Sequence, residues 1–323
     1  MRGHLTLEER EIIAHMHRSG AMQVEIAKRL RRNKGTISRE LRRNRSRNGY
    51  WGAAAQRKAE KRRSQRPWTP KLERPDVRRY VRERLRRYWS PDQIAGRSRK
   101  DFPRERRRQV SHQTIYTWIR DQGEGGASWR RYLRRMGRKR LGPENRGRIP
   151  ASTSIDGRPG VVDRRGRYGD WEGDTVVGAA HRGGAVTLVE RKSGYLLLAG
   201  VENLQASTVR AVAADLYATM PPSMRKTLTL DNGKEFSEHQ RLAAEAALKI
   251  YFAKPYCAWQ RGTNENTNGL VRQFFPKGTD LANIPEHRFT KVQHLLNNRP
   301  RKRLGYRTPN EILASRLRVA TET

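Results

Sequence analysis

CAWQRGTNENTNGLVRQFFPKG, residues 257–278, is the stretch from which the fold of the second half of the chain is predicted. Gly262 interrupts the preceding segment, Thr263 can cap a helix, and Gly278 follows the last periodic apolar residue. Together these signals predict a helix from about Asn264 to Phe275.

The two sides of this helix differ in character when residues are placed about 100° apart. The apolar side carries Thr267, Leu270, Val271 and Phe274. The opposite side carries Glu265, Asn268, Gly269 and Arg272. A single glutamate in the first turn is ordinarily a solvated residue that the helix dipole favours. A chemical role for Glu265 therefore depends on acids elsewhere in the chain.

The chain is strongly basic. Its 323 residues include 70 Lys and Arg against 32 Asp and Glu, which gives a net charge of +38. Residues 1–150 contain 44 Lys and Arg against 15 Asp and Glu, whereas residues 151–323 contain 26 against 17. We therefore expect a polyanionic partner, with nucleic acid bound mainly by the first half. The length allows two or three domains with a sizeable core.

Composition and motifs exclude several classes of protein. No apolar run approaches the roughly 20 residues that span a membrane, so no membrane partner is expected. The single cysteine, Cys257, excludes an intrachain disulfide and a zinc site built on several cysteines. Residues 1–20 are charged and amphipathic, which predicts a cytoplasmic protein without a signal peptide. The sequence has no Walker-type glycine loop, Gly-x-Ser-x-Gly or His-Glu-x-x-His motif.

Residues 5–44 predict three short helices. The first begins at Thr6 or Leu7 and ends before Ser19, and the second runs from Val24 to Leu30. A turn at 33–35 leads into a third helix, Thr36 to Arg43, in the layout of a helix-turn-helix. The candidate DNA contacts on the outer face of this third helix are Thr36, Ser38, Arg39, Arg42 and Arg43. The alternative is a basic bundle that contacts only phosphate or binds RNA.

A second three-helix pattern spans residues 76–122. Its first helix places Val77, Val81, Leu85 and Tyr88 on one stripe. Ser90 opens a helix around Ile94, and Ser111 caps a third helix from Gln113 to Arg120. The third helix is expected to bury Ile115, Trp118 and Ile119. Its candidate DNA contacts are His112, Gln113, Thr114 and Thr117, although His112 taken alone fits a polar surface residue better than a ligand.

From residue 161 the sequence pattern changes to strands and helices. Strands are predicted at 170–178, 184–191, 195–201, 226–230 and 250–252. Helices are predicted at 207–220 and around 242–247. Three consecutive strands imply antiparallel pairing, and the later elements predict a mixed α/β sheet with helices on its faces.

The predicted domains follow from these patterns. They are a first helix-turn-helix at 1–50, a basic linker at 51–75, a second helix-turn-helix at 76–122, a flexible basic connector at 123–160, an α/β core at 161–310 and a tail at 311–323. The linker is expected to contain a connecting helix that either follows DNA phosphates or is simply solvated.

Acidic residues concentrate at two places in the α/β region. Asp170, Glu172 and Asp174 share one face of the first strand by its two-residue period, and Asp231 ends the fourth strand at a loop. Like charges on one face are costly unless a cation neutralises them, which indicates Mg²⁺ or Mn²⁺ held by oxygen ligands. Two ions about 4 Å apart suit an in-line phosphoryl displacement. Each carboxylate taken singly also fits an ordinary surface acid.

Several motifs resemble the DDE transposases of the insertion sequence 30 family, whose ribonuclease H-like catalytic core is shared with retroviral integrases. The matching segments are Trp171-Glu172-Gly173-Asp174, Thr229 to Phe236 (TLDNGKEF), Pro255-Tyr256, Trp259 to Asn266 (WQRGTNEN), Asn268-Gly269-Leu270, Phe275 to Gly278 (FPKG), Leu296 to Pro300 (LNNRP) and Thr308-Pro309. Thirty-three residues separate Asp231 from Glu265, which is the spacing of this family. The resemblance covers most of the chain, including both helix-turn-helix units.

The resemblance implies a multidomain protein with all-α helix-turn-helix domains and a ribonuclease H-like α/β catalytic domain with a mixed sheet. It implies a transposase that binds terminal inverted repeats, nicks the element ends and joins the 3′ hydroxyl to target DNA by two-metal phosphoryl transfer. It selects Asp174, rather than Asp170 or Glu172, as the first ligand. Asp174, Asp231 and Glu265 would then be catalytic and would hold two Mg²⁺ ions, with Mn²⁺ as a substitute.

The same resemblance indicates partners and contacts. Lys254, Arg261 and Arg272 are candidate phosphate contacts, with ordinary surface charge as the alternative. The implied partners are double-stranded DNA from the element ends and the target, together with further copies of the chain in at least a homodimer. The implied location is the bacterial cytoplasm at the nucleoid. The helix at 289–296 and the tail would form the oligomer interface or cover the sheet.

Two other functions are compatible with the sequence. The first is a non-enzymatic DNA-binding regulator that retains the fold and would not need Asp231. The second is a metal-dependent nuclease that cuts DNA without joining it, although two separate DNA-reading units argue against this.

Overall fold

The structure, a computed structural model, describes residues 4–64, 70–121, 128–134, 149, 152–255 and 257–321. The chain forms two compact units, Met1–Pro70 and Lys71–Thr323. The larger unit contains the second helix-turn-helix together with the α/β core, so these two predicted domains form one body.

The first unit contains four helices. They are α1 (Leu7–Arg18), α2 (Gln23–Arg29), α3 (Lys34–Asn44) and α4 (Gly52–Ser64). Thr6 and Glu9 form a capping box at the start of α1, and Ile13, Ile26 and Ile37 are fully buried between the first three helices. Asn33 caps α3 through the amide of Gly35, so the predicted turn at 33–35 contains the cap and the first two helical residues.

A buried polar network holds α4 in the first unit. The Arg10 guanidinium on α1 donates from Nε to Glu40 Oε1 on α3 at 2.8 Å and from Nη1 to Gln56 Oε1 on α4 at 2.6 Å. Tyr50 Oη donates to the same Glu40 oxygen at 3.1 Å, and Ala55 of α4 is completely buried. The stretch predicted as a basic linker, 51–75, therefore begins with a helix that packs as part of the first unit rather than connecting two domains.

The second unit begins with another three-helix bundle. Its helices are α5 (Pro75–Arg86), α6 (Pro91–Asp101) and α7 (His112–Asp121). Ser90 caps α6 by accepting the Gln93 amide at 3.3 Å, as predicted. The bundle core includes Val77, Val81, Leu85, Ile94, Ile115 and Ile119. Leu72, from the predicted linker, and Trp129 and Leu133, from the predicted connector, also pack on this core. Connector residues 135–148 lie outside the described residues.

Two apolar predictions for this bundle are wrong. Tyr88 does not continue the stripe of α5, because the helix ends at Arg86 and Tyr88 takes a left-handed φ of 61°. Its ring packs edge-on against Phe274 of the core instead, with centroids 4.7 Å apart. Trp118 is half-buried rather than buried, because it lies at the edge of the bundle beside Trp129.

The α/β core contains one five-stranded sheet. Its strands are β1 (Asp170–Val177), β2 (Gly184–Glu190), β3 (Leu196–Val201), β4 (Thr227–Leu230) and β5 (Lys249–Phe252). The spatial order is β3-β2-β1-β4-β5, with antiparallel pairs among the first three strands and parallel pairs from β1 to β4 and β4 to β5. This mixed sheet matches the predicted topology and is that of a ribonuclease H-like domain.

Helices cover both faces of the sheet. They are α8 (Gly160–Asp163), α9 (Ala206–Ala218), α10 (His239–Ala246), α11 (Gly262–Val271), α12 (Glu286–Asn297) and α13 (Pro309–Thr321). In β1, Trp171 faces a core that includes residues of α9 and α10. Val176, on the other face of the same strand, packs with residues of α11 and α12. Asp170, Glu172 and Asp174 therefore lie on the α11 side, as their alternation predicts.

Two boundaries in this region differ from the predictions. Helix α11 ends at Val271 rather than Phe275, because the amides of Gln273 and Phe274 bond to carbonyls only three residues back. Phe275 then turns inward onto Phe289, with ring centroids 4.9 Å apart. Residues 311–321 of the predicted tail belong to α13, whose Leu313 is buried in the same core as Trp171, and residues 322–323 lie outside the described residues.

Helix α12 covers the exposed edge of the sheet. Asn297 Oδ1 accepts the Leu196 amide at 2.8 Å, and Gln293 Oε1 accepts the Leu198 amide at 2.7 Å. These side chains satisfy edge amides of β3 that would otherwise be free to pair with another strand. Of the two roles considered for this helix, covering the sheet is the one its contacts support. Among the described residues, no helix is long and apolar enough to cross a membrane.

A segment near the C-terminus, residues 299–311, binds the second helix-turn-helix to the core. Arg97 of α6 makes a two-point contact with Glu311, at 2.6 and 2.8 Å, and this contact lowers the pKa of the Glu311 carboxyl. Arg299 Nε donates to Gln93 Oε1 at 2.8 Å. The Tyr306 ring lies directly against Gly96, in the middle of α6.

This close approach gives a prediction for Gly96→Ala. Alanine in a helix is ordinarily more stable than glycine by about 0.5–1 kcal/mol. Here the new methyl group would overlap the Tyr306 ring, so we expect a loss of about 1–3 kcal/mol in the unfolding free energy of the larger unit, measured by urea denaturation. In a Tyr306→Ala background the same change should be neutral or stabilising. A stabilising effect of Gly96→Ala in the otherwise unchanged protein would contradict the packing described here.

Candidate active site and nucleic-acid surfaces

The first two predicted catalytic acids lie on neighbouring strands. Asp174 is half-buried near the end of β1, and Asp231 is buried immediately after β4. Because β1 and β4 are parallel neighbours, their carboxyl ends lie at the same edge of the sheet. Asp231 Oδ1 accepts the amide of Gly233, which fixes the carboxylate at the start of the loop.

One guanidinium group faces both carboxylates. Arg261 Nη2 lies 3.0 Å from Asp231 Oδ2, and Arg261 Nη1 lies 3.5 Å from Asp174 Oδ2. Arg261 Nη1 also donates to the Gly173 carbonyl at 3.2 Å. Asp174 and Asp231 therefore share a position that suits a cation, which is the arrangement that oxygen ligands of a divalent metal require.

Glu265 lies on the same side of α11 as Asn268, three residues later, whose Nδ2 donates to Asp174 Oδ2 at 3.0 Å. Arg261, which also contacts Asp174, is the residue immediately before the helix. The Glu265 side chain is exposed. Within the described part of the chain, no three His, Cys, Asp or Glu side chains are grouped closely enough to hold one metal ion. Glu265 thus lies on the side of α11 that carries Asn268, but in this structure it does not complete a set of metal ligands with Asp174 and Asp231.

Arginines neutralise the acidic stripe on β1. Asp170 pairs with Arg167 at 3.0 Å, and Glu172 pairs with Arg191 at 3.2 Å. Asp170 and Glu172 are both almost completely buried, whereas Asp174 retains access to the sheet edge. The row of acids on β1 is therefore not in itself a reason to expect a metal ion. The negative charges of Asp170 and Glu172 are already balanced by arginine side chains.

Glu172 anchors α11 on the sheet. Its Oε2 accepts the Asn264 amide in the first turn of α11 at 2.8 Å, while Arg191 contacts its other oxygen. The Asn264 side chain donates to the carbonyls of Glu172 and Thr187 at 2.9 and 3.2 Å. This network sets the position of α11 along β1, and therefore the position of Glu265.

Sequence reasoning missed Asn264, Asn268 and Thr187 as positioning residues. The Thr187 hydroxyl on β2 lies 3.1 Å from Asn264 Oδ1 and 2.9 Å from Asn268 Oδ1. The signal was the spacing of the two asparagines, four residues apart on one face of α11. Nothing in the sequence indicated that the intervening turn would pack on Thr187, which is nearly eighty positions earlier.

The three predicted phosphate contacts in the core have other partners. Arg261 is held by Asp174 and Asp231. Lys254 is exposed and pairs with Asp156 at 2.8 Å. Arg272 is half-buried and donates from Nη2 to the Val177 carbonyl at 2.8 Å, and burial lowers the pKa of its guanidinium. To contact a phosphate, any of these three side chains would have to give up the bonds described here or make the new contact in addition to them.

Most of the candidate DNA contacts on α3 and α7 lie on the outer faces of these helices. Exposed positions on α3 are Ser38, Arg39, Arg42 and Arg43, and Thr36 is half-buried. On α7, His112 and Gln113 are exposed, whereas Thr114 and Thr117 are half-buried. The Thr114 hydroxyl also lies 2.7 Å from Ser111 Oγ, in the helix cap.

A basic groove in the first unit extends the outer surface of α3. It has a volume of about 430 Å³, and its lining includes Arg39 and Arg43 of α3 and Arg62 and Arg63 of α4. Glu40, which also lines the groove, is engaged by Arg10. Besides Arg10, which also lines the groove and pairs with Glu40, four arginines from α3 and α4 face it, a surface that suits a nucleic-acid backbone.

Comparison with known proteins agrees with this architecture. Residues 2–44 match the family model of a helix-turn-helix domain. The chain is 39% identical over 317 residues to the transposase for insertion sequence element IS4351 from Bacteroides fragilis, covering 96% of this chain and 95% of that protein. It is 38% identical to transposase InsI for insertion sequence element IS30A from Escherichia coli K12, covering 96% and 83%. It is 37% identical to the transposase for insertion sequence element IS1086 from Cupriavidus metallidurans, covering 92% and 90%.

Among solved structures, the catalytic core domain of BIV integrase is similar to 47% of this chain and 98% of its own, with 19% identity and a TM-score of 0.38. A similarity of this size carries no argument about function. The sequence relationships are sufficient for the family. The fold is that of a protein with a helix-turn-helix domain and a ribonuclease H-like α/β domain. The chain belongs to the insertion sequence 30 family of transposases.

Proposed function

We propose that this protein binds the terminal inverted repeats of its element, nicks the element ends and joins the freed 3′ hydroxyl to target DNA. Membership of the transposase family supports DNA transposition in general. The observation that carries the chemical proposal is the pair of carboxylates, Asp174 and Asp231, which face one cation at the edge of the sheet.

In this proposal Asp174, Asp231 and Glu265 are the catalytic, metal-holding residues. The carboxylates of Asp174 and Asp231 fit the role because they already converge on a positive group. Two bound Mg²⁺ ions, or Mn²⁺ in their place, would supply activation of the attacking oxygen and stabilisation of the leaving one. Asn268 orients Asp174 through its hydrogen bond, and Glu172 holds α11 so that Glu265 remains on the same side.

Arg261 has a second task in the proposed mechanism. Its guanidinium is the charge that Asp174 and Asp231 share in this structure. With a divalent cation held by Asp174 and Asp231, the Arg261 guanidinium would be available to another acidic group, and the DNA phosphate is the one that the proposed reaction supplies. Arg261 would thereby move from the carboxylates to the substrate.

DNA recognition is assigned to the two helix-turn-helix units. The family model and the transposase relatives support DNA binding, and the groove between α3 and α4 adds two arginines of α4, Arg62 and Arg63, to the predicted contacts on α3. Helix α7 would contact a second part of the element end through His112, Gln113, Thr114 and Thr117. Because two ends must be joined, we propose that the protein acts as a homodimer or larger oligomer on DNA in the bacterial cytoplasm, at the nucleoid.

A single reaction distinguishes the proposed activity from its alternatives. Purified protein, Mg²⁺, a labelled element end and an unlabelled target plasmid are incubated together, and the DNA products are separated on denaturing gels. Labelled end joined to target supports the transposase. Cut ends without joining would support a nuclease, and binding without any cleavage would support a regulator that retains the fold.

A further inference from the structure

A small pocket beside the first turn of α11 is lined by arginines. Its volume is about 140 Å³, and three guanidinium groups reach it from two segments that are distant in sequence, Arg165 after α8 and Arg301 and Arg303 before α13. The opposite wall includes Gly262, Thr263 and Asn266 of α11. None of the residues that line the pocket is acidic.

The three arginines contact neutral acceptors. Arg165 Nη2 donates to Thr263 Oγ1 at 3.0 Å, Arg301 Nη2 to the Leu296 carbonyl at 3.3 Å, and Arg303 Nη1 to the Lys192 carbonyl at 2.8 Å. The two nearest buried acids are engaged elsewhere. Glu172 is bound by Arg191 and the Asn264 amide, and Glu190 is bound by the amide and hydroxyl of Ser193.

The clustering of these cations is costly without an anion. Arg165 and Arg301 are half-buried, and burial together with the neighbouring guanidinium groups of Arg303 and Arg134 lowers the pKa of Arg301 to about 10. Gly194, with a φ of +71°, leaves room for this arrangement, since a Cβ there would lie 2.6 Å from Arg303 Nη2. The chain therefore brings positive groups together and leaves space between them, which is how proteins build anion sites.

The pocket and the acid site flank the same turn of α11. Thr263 and Asn266 line the pocket, while Arg261 contacts Asp174 and Asp231, and Glu265 lies between these positions in sequence. The positive end of the α11 dipole also points toward this turn. Because Thr263 and Asn266 lie on the other side of this turn from Glu265 and Asn268, a nucleic-acid strand that crosses the turn would reach both the pocket and the acids.

We propose that Arg165, Arg301 and Arg303, with the first turn of α11, bind a backbone phosphate of the DNA strand that is cut or joined. This site rests on the proposed function, because it assigns the bound phosphate to the reacting DNA. Its task is to hold that strand in register with Asp174 and Asp231. It is separate from the helix-turn-helix surfaces, which select the sequence.

The test measures how DNA affinity depends on salt, using full-length protein without divalent metal and a fluorescent element end. Each duplex phosphate contact contributes about 0.9 to the slope of log affinity against log salt concentration, or about 0.7 for a single strand. We expect Arg301→Ala and Arg303→Ala each to lower the slope by about that amount. The control variant is Arg241→Ala, because Arg241 is an exposed arginine of α10 that pairs with Glu238. It should leave the slope unchanged.

Further variants distinguish the loss of a DNA phosphate contact from a loss of folding and from the binding of free anions. Arg301→Lys keeps the charge and should retain most of the slope, and urea denaturation of each variant checks that the larger unit is intact. An unchanged slope in both Arg301→Ala and Arg303→Ala would overturn the proposal, even if the wild-type protein cuts and joins DNA. A lowered slope in a protein that does neither would support the phosphate site and refute the proposed activity. Stabilisation of only the wild-type protein by inorganic phosphate, without any change in the DNA slope, would make the pocket a free-anion site and overturn the DNA assignment.

Discussion

Replacing Asp231 by asparagine is expected to abolish DNA cleavage and strand joining while leaving binding to the element end nearly unchanged. The substitution keeps the size of the side chain but removes the charge that would hold a divalent cation with Asp174. We expect the rate of end cleavage to fall at least about a thousandfold, which corresponds to about 4 kcal/mol of transition-state stabilisation. Gel assays measure the rates of cleavage and joining, and fluorescence anisotropy measures the affinity for the element end.

The matched control for this change is Asp215→Asn, because Asp215 is an exposed acid on α9, outside the paired carboxylates. It should retain full activity. Binding is expected to survive in Asp231→Asn because the arginines of the helix-turn-helix units supply most of the affinity for DNA. If Asp231→Asn weakens end binding as much as it reduces cleavage, the proposed division between a DNA-binding half and a catalytic half is wrong.

Replacing Glu172 by glutamine is expected to destabilise the fold rather than to remove a catalytic group. Glu172 is 1% exposed, and its neutralisation would leave the buried Arg191 without its counter-charge and weaken the bond to the Asn264 amide. Breaking one side of a buried ion pair typically costs about 3–5 kcal/mol. Urea denaturation followed by tryptophan fluorescence measures the effect, since Trp171 is completely buried beside Glu172 in the same strand.

Glu202→Gln makes the same chemical change at an exposed position after β3 and should alter the unfolding free energy by less than about 0.5 kcal/mol. A double variant, Glu172→Gln with Arg191→Met, should recover part of the lost stability because the unpaired charge is removed as well. Full stability with complete loss of cleavage in Glu172→Gln would instead make Glu172 a ligand and would transfer to it the role proposed for Asp174.

Most of the α/β core could be predicted because its signals are local. The alternation of apolar residues in β1, β2 and β3 places Trp171 on one face and Val176 on the other, and the observed strand bounds differ from the predicted ones by a residue or so. The mixed topology followed from the order of strands and helices along the chain.

The predictions that differ depend on distant contacts. Tyr88 left its expected stripe because Phe274, far along the chain, provides an aromatic partner. Helix α4, predicted as a connecting helix, packs into the first unit because Gln56 completes the buried network of Arg10 and Glu40. Periodicity along one segment carries no information about a distant partner, so neither packing contact could be inferred from the local sequence.

The acids of the candidate site could be chosen from the sequence, but the residues that surround them could not. Family motifs selected Asp174 and Asp231, and the structure brings both to one guanidinium. Strand periodicity could not separate Asp174 from Asp170 and Glu172, because the difference lies in burial: the latter two are almost completely buried with Arg167 and Arg191, whereas Asp174 is half-buried. The roles of Asp174, Asp231 and Glu265 as metal ligands stay predictions.

The attachment of α6 to the segment from Arg299 to Glu311 has a consequence for the length of DNA that the protein can use. The second helix-turn-helix and the sheet belong to one compact unit. If α7 binds the element end and Asp174 acts on a phosphate, as proposed, we expect this unit to fix the number of base pairs between the two places. Inserting a single base pair in that interval should then rotate and shift the scissile bond away from the acids and lower cleavage, even though every recognised base is still present.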